Sequence, residues 1–158
     1  MTITLDNPPQ IERMLSATPD NEKQLRAIIT KVLSNAVKEL QQQVRSGMNT
    51  DPHQTYRAVR RMVYKSVLGG NINILDPRRS RSGSTGSRTD QYFGADRAFI
   101  LRFLNSGTQE RTTKKGYRRG SISARGLFSQ PAPGVLKRAA ELIEQETAEY
   151  LAKALEHG

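Results

Sequence analysis

The chain has 158 residues, of which 35% are apolar and 25% are charged, and it contains no cysteine and no tryptophan. A chain of this length and composition is expected to form a single domain with a modest core. The absence of cysteine excludes disulfide bonds.

Positive charge is the strongest bulk property. Lysine and arginine outnumber aspartate and glutamate by 25 to 15, which gives a net charge of +10. The excess lies in the middle of the chain, where the segment 57–125 holds 16 basic residues against four acidic ones. Such a field attracts polyanions or acidic protein surfaces, and it does not distinguish between them.

Residues 1–17 are predicted to form an arm that precedes one domain at 18–158. The arm lacks an apolar segment, so a signal peptide is not expected, and no run approaches the roughly 18 apolar residues of a membrane span. Thr18-Pro19 supplies a hydroxyl cap followed by proline at the first helical position. Apolar residues then recur from Leu25 to Val44 at spacings of three and four, which predicts one long helix ending near Ser46-Gly47.

The next segments predict a second helix, a strand and a loop. The helix is expected from Asp51-Pro52, which repeats the start signal, to the glycine pair at 69–70. The alternation of polar and apolar residues at 71–75 predicts a half-buried strand. Residues 77–91 include no aliphatic or aromatic residue, which predicts a long mobile loop.

The apolar run 98–104 is predicted to be the central strand. Its odd-numbered residues would fall on one face, and Arg102 with its even-numbered neighbours on the other. Apolar residues on both faces predict cover on both sides, one by a helix of the same chain and one by a neighbouring subunit. A second mobile basic loop is expected at 106–121, a short strand at 122–128, and a terminal helix from about Pro133 with an acidic outward face.

These elements predict an α+β fold. It would have two N-terminal helices, a small and mostly antiparallel sheet with long mobile basic loops, and a C-terminal helix packed on the sheet.

No group of residues suggests catalysis or metal binding. The two histidines, His53 and His157, have no carboxylate, serine or second histidine spaced to cooperate with them, and they are too few for a zinc site. The Gly83–Gly86 stretch lacks the Gly-Lys-Ser/Thr ending of a phosphate loop. We therefore expect no enzymatic activity, no cofactor and no small-molecule substrate.

The charged residues indicate binding to a macromolecule. The basic loops could contact an acidic protein surface or a nucleic-acid backbone, or they could be solvated without a partner. Tyr117 is their only aromatic residue, which disfavours base stacking on single strands. The glutamates of the last helix could meet the loops of a neighbouring copy, and such a head-to-tail contact closes into a ring. The candidate interface residues are Arg78, Arg79, Arg81, Arg88, Arg102, Arg111, Lys114, Lys115, Arg118, Arg119, Glu141, Glu144 and Glu149.

Three features resemble the tail-completion family of tailed bacteriophages, which are lambda-like head–tail joining (neck) proteins. Members typically show a strand ending in a Phe-x-x-x-Gly-Thr-like turn, which is similar to Phe103–Thr108. A basic loop and an Ala-Arg-Pro-Phe-like segment then enter the last helix, and the segment is similar to Ala124–Phe128. The long first helix also fits, and the resemblance covers roughly residues 25–155.

The resemblance implies a structural virion protein that is made in the cytoplasm of a bacterial host. It would form a homo-oligomeric ring, usually sixfold or twelvefold, at the head–tail junction, where it would join portal or adaptor proteins to the tail tube. DNA passes through the neck during ejection, which would bring some arginines into passing contact with the genome. No membrane, cofactor or reaction is implied. The alternative function is that of a small basic nucleic-acid-binding protein.

Overall fold

The structure, a computed structural model, describes residues 2–4, 19–52, 54–75 and 88–156, with side chains at 21–52, 54–75 and 97–154. Within these ranges lie three α-helices, a 3₁₀ turn and five short strands. The predicted α+β class is therefore confirmed. The arm residues 5–17, the loop residues 77–87, and both histidines lie outside the described residues.

The elements follow one another in chain order as three groups. Strand β1 (Thr2–Thr4) precedes helix α1 (Pro19–Ser46), the 3₁₀ turn Thr55–Ala58, and strands β2 (Val59–Val63) and β3 (Gly69–Ile74). Helix α2 (Arg88–Ser106) is followed by strands β4 (Arg111–Thr112) and β5 (Arg118–Gly120) and by helix α3 (Ala132–Glu156). One sheet has the order β1-β3-β2, and β4 and β5 form a separate two-stranded sheet.

Strand β3 is the centre of the three-stranded sheet. It pairs antiparallel with β1, with Thr2 opposite Asn71 and Thr4 opposite Gly69. Tyr64 N donates to Gly69 O at 3.0 Å and Leu75 N to Ala58 O at 2.9 Å, which places β2 antiparallel to β3 as well. Ile72 and Ile74 are buried and Asn73 is exposed, so the strand predicted at 71–75 is confirmed together with its alternation.

The described residues divide into two compact units. The first comprises 1–39, 61–72 and 133–158, and the second comprises 40–60 and 73–132. The first unit buries the inner face of α1 from Leu25 to Ala36 together with Ile72 and the inner face of α3. The second unit buries Leu40 and Val44 of α1 together with Val59, Ala98 and Leu101.

Helices α1 and α3 confirm the predicted N- and C-terminal helices. Leu25, Ile29, Leu33, Leu40 and Val44 are at most 1% exposed, which follows the predicted spacing. In the first unit, α3 lies along α1 and buries Val135, Leu136, Ala139 and Ile143. Leu142 departs from the predicted apolar stripe, because it is 48% exposed.

The helix predicted at 51–68 is wrong. The segment forms the 3₁₀ turn and strand β2, and the glycine pair at 69–70 begins β3 instead of ending a helix. Valine and tyrosine dominate the apolar positions of this segment, and such residues favour extended backbone when a partner strand is present. Pairing with β3 therefore outweighs the helical spacing.

The central strand predicted at 98–104 is also wrong, because these residues belong to α2. Ala98 and Leu101, three residues apart, are fully buried, whereas Phe99 is 55% exposed. A short apolar run fits a strand or a buried helix equally well, and the deciding residues precede it, since the helix already begins at Arg88. The expected cover on both faces is therefore absent.

Three loop and strand predictions also need correction. The mobile loop expected at 77–91 overlaps α2 at 88–91, and the loop expected at 106–121 contains β4 and β5. The strand expected at 122–128 does not form. Its backbone bonds to the end of α2, and Gly126 has a φ of +61°, a left-handed conformation that breaks a strand.

Candidate interaction site

The C-terminus of α2 and the segment that leads to α3 meet in a network of hydrogen bonds. Thr108 N donates to Ile122 O, and Ile122 N donates to Thr108 Oγ1, both at 2.9 Å. Gly107 has a φ of +74°, and a Cβ at this position would lie 2.8 Å from Ile122 O. Only glycine fits this left-handed position so close to another backbone. We call the contact between 104–108 and 122–129 the junction.

Asn105 joins the two segments of the junction through its backbone and its side chain. Its Oδ1 accepts hydrogen bonds from Phe128 N and Ser129 N, both at 2.9 Å. Its carbonyl accepts from Gly126 N at 3.0 Å, and the carbonyl of Leu104 accepts from Arg125 N at 2.9 Å. The last carbonyls of a helix lack partners within the helix, so these bonds also cap α2.

Residues 109–121, which we call the basic hairpin, lie between the two segments of the junction. Gly116 N donates to Thr113 O at 2.9 Å and Thr113 N to Tyr117 O at 2.8 Å, which closes the turn between β4 and β5. Gly116 has a φ of +83°, as expected for a type I turn followed by a left-handed glycine. Every residue of the hairpin except Thr113 is exposed. A two-stranded hairpin without cover is marginally stable in water, so docking against a partner would stabilise it.

The hairpin concentrates positive charge. Glu110 is its only acidic residue, and its carboxylate lies 3.4 Å from the Arg118 guanidinium. The side chains of this pair are 55% and 82% exposed, so water screens their attraction. Within the described residues, no other cation of the hairpin forms an ion pair with a carboxylate of its own chain. The five hairpin cations are Arg111, Lys114, Lys115, Arg118 and Arg119.

An aromatic pair lies at the base of the hairpin. The rings of Phe99 and Phe103 on α2 meet edge to face with centroids 4.1 Å apart, and the Arg111 guanidinium stands 5.0 Å from the Phe103 ring centroid. Phe99 is 55% exposed. Aromatic and arginine side chains with large exposed area are typical of the centres of protein interfaces. We call these three residues the aromatic base.

The structure brings together some of the predicted interface residues. Five of the predicted cations lie on the hairpin, and Arg102 lies on α2, where its Nη2 donates to Ile74 O at 2.9 Å. Arg102 was expected to need an acidic partner, and a backbone carbonyl takes that role. Arg78, Arg79 and Arg81 lie outside the described residues, and of Arg88 only the backbone is described.

The predicted glutamates Glu141, Glu144 and Glu149 are exposed along α3 in the first unit. Gln145 Nε2 donates to Glu149 Oε1 at 3.0 Å. Glu141 and Glu144 form no ion pair within the described residues. The acidic outward face predicted for the last helix is therefore present.

Sequence reasoning missed Phe99, Phe103 and Asn105 as functional residues. The two phenylalanines had been placed on a buried strand face, whereas a helical assignment would have set Phe99 opposite the buried Leu101. Asn105 follows the apolar run directly, and asparagine at a helix end often bonds to nearby backbone. That pattern could have indicated the junction.

Comparison of the chain with known protein families, curated proteins and solved structures found no match. Among the described residues, no cluster of acidic residues or histidines could hold a metal ion. No described helix is long and apolar enough to cross a membrane.

Replacing Asn105 with alanine is expected to lower the free energy of unfolding by about 1–2 kcal/mol, because two backbone N–H groups lose their acceptor. Asn105→Asp keeps a side-chain oxygen for them and should retain most of the stability. Urea denaturation monitored by circular dichroism measures both changes. Gln109→Ala, at an exposed position, is the control, and equal stabilities of the two alanine variants would rule out this role of Asn105.

Proposed function

We propose that this chain is a structural virion protein of a tailed bacteriophage. It forms a homo-oligomeric ring at the head–tail junction and joins the portal or an adaptor to the tail. It acts by assembly alone and carries out no reaction.

The junction is the observation that carries this proposal. The two segments whose residues resemble the tail-completion family, Phe103–Thr108 and Ala124–Phe128, are separate in the sequence and hydrogen-bonded in space. Gly107 and Asn105 have a physical role in that contact. A pair of motifs that forms one structural unit is stronger support than two isolated matches.

One earlier argument for assembly no longer supports the proposal. A strand at 98–104 with apolar residues on both faces would have required a second molecule as cover, and α2 removes that requirement. The resemblance also implies a strand before the Gly-Thr turn, where this chain has a helix. Support for self-association now comes from the basic hairpin and the aromatic base, which expose cations and an aromatic ring next to each other.

Negative-stain electron microscopy of the purified protein tests the proposal. We expect ring-shaped particles of uniform symmetry, with a central channel wide enough for duplex DNA in averaged end-on views. A protein that stays monomeric in light scattering, at every concentration and salt tested, contradicts the proposal.

Nucleic-acid binding is the second candidate function, and the charge of the hairpin favours it. Four of its five cations have no carboxylate partner among the described residues, and a two-stranded ribbon can enter the major groove of DNA. Fluorescence anisotropy with a labelled duplex at rising salt measures it. Tight binding without self-assembly, with an affinity that falls steeply with salt, would favour this function over the ring.

A further inference from the structure

We propose that the basic hairpin and the aromatic base of one copy dock on the α1–α3 face of a second copy. This inference rests on the proposed function, because it names the contact that builds the ring. The occupant of the α1–α3 face is thus another molecule of this chain.

The docking surface offers cations and an exposed ring side by side. Lys114 and Lys115 occupy the turn of the hairpin, and the space around Gly116 is open, since a Cβ there would meet no atom within 4 Å. Phe99 contributes an aromatic surface that is 55% exposed, and Tyr117 in the hairpin is 70% exposed. The surface therefore requires a partner that is acidic and apolar at once.

The α1–α3 face meets both requirements. A groove of about 170 Å³ lies between the two helices, and its apolar lining includes Val32, Val135 and the half-exposed Leu142. Two ion pairs flank it: Arg138 with Glu39 at 2.5 Å, and Lys31 with Glu146 at 3.2 Å. These pairs fix the walls of the groove without neutralising the exposed glutamates of α3.

Glu141 and Glu144 supply the negative charge of this face. They precede and follow Leu142 on α3, and both are exposed without an ion pair among the described residues. Carboxylates beside an apolar groove complement cations beside an exposed phenylalanine.

A nucleic-acid backbone would satisfy only half of the docking surface. Phosphates attract the lysines of the turn, but they offer no apolar contact for Phe99. A second copy covers both the charge and the ring. Because the two surfaces differ, the contact is head-to-tail, and repetition of such a contact builds a closed ring.

Charge exchange tests the contact. One variant carries Lys114→Glu and Lys115→Glu, and the other carries Glu141→Lys and Glu144→Lys. Each alone should weaken self-association by at least about 100-fold in analytical ultracentrifugation, because like charges then face each other. An equimolar mixture should assemble again, since the reversed hairpin of one variant matches the reversed helix of the other. A chain with all four substitutions should also assemble.

Control variants separate this contact from general effects of charge and folding. Lys23→Glu with Lys38→Glu, at exposed positions of α1, changes the net charge equally and should leave assembly unchanged. Phe99→Ala should weaken assembly at least about 10-fold while circular dichroism remains that of the wild type. Size and symmetry of the particles are read from the same samples.

The outcomes distinguish this inference from the proposed function. Restored rings in the mixture support the contact. Rings that persist in both reversed variants, or that the mixture fails to restore, overturn it and leave the ring itself intact. A wild-type protein that never assembles overturns both. Duplex binding that falls with the hairpin reversal, without any assembly, assigns the hairpin to nucleic acid instead.

Discussion

Replacing Gly70 with alanine is expected to destabilise the first unit by about 3 kcal/mol or more, which is at or above the usual cost of overpacking a core. A Cβ at this position would lie 2.6 Å from Leu33 Cδ1 on α1 and 2.6 Å from Met62 O on β2. The carbonyl belongs to the paired backbone of the sheet, so a change of side-chain rotamer cannot relieve that contact. Equilibrium urea denaturation, at a protein concentration too low for self-association, measures the loss.

Gly134→Ala is the matched control for this substitution. A Cβ at Gly134 would lie 3.7 Å from Arg138 Nη1, an ordinary van der Waals distance, and the residue is in the first turn of α3. Alanine is the better helix former, so this variant should be neutral or up to about 1 kcal/mol more stable than the wild type. If Gly70→Ala unfolds at the same urea concentration as Gly134→Ala, then α1 does not pack on the sheet as described.

The sequence predicts the helices with strong boundary signals. Helix α1 begins at the proline that follows the hydroxyl cap, and its apolar spacing extends over five turns, too long for a strand. Helix α3 likewise starts beside Pro133. Strand β3 is predictable because the asparagines and isoleucines alternate between glycines and Asp76-Pro77, which end the strand.

Tertiary contacts decide the segments that the sequence does not predict. Residues 59–63 carry apolar residues at helical spacing, but pairing with β3 satisfies their backbone instead. Residues 98–104 carry six apolar residues among seven, a run whose periodicity fits either structure. Residues 122–128 are held by Thr108 and Asn105, and a local pattern contains no information about that partner.

The candidate site was predictable in composition and not in arrangement. The concentration of cations between 111 and 119 and the acidic face of the last helix are properties of the sequence. The hairpin that presents the cations depends on the junction, which joins residues more than ten positions apart. The aromatic base depends on α2, because only a helix places Phe99 and Phe103 one turn apart on a common face.

Leu101→Ala is expected to lower the free energy of unfolding by about 2–5 kcal/mol, whereas Phe99→Ala should cost about 1 kcal/mol or less. Leu101 is fully buried in the second unit, so truncation leaves a cavity. Phe99 is 55% exposed, and its principal loss is the edge-to-face contact with Phe103. Urea denaturation of the three proteins under non-associating conditions measures both differences.

This pair of substitutions separates a helix from a strand at 98–104. On a strand, residues 99 and 101 share a face, and their truncation would have similar effects. On α2 they lie about 200° apart around the helix axis, so their effects must differ. Leu101→Val provides a milder variant if the alanine variant does not fold, and it should still be less stable than Phe99→Ala. Equal losses at the two positions would show that α2 does not exist and would remove the support on which the aromatic base stands.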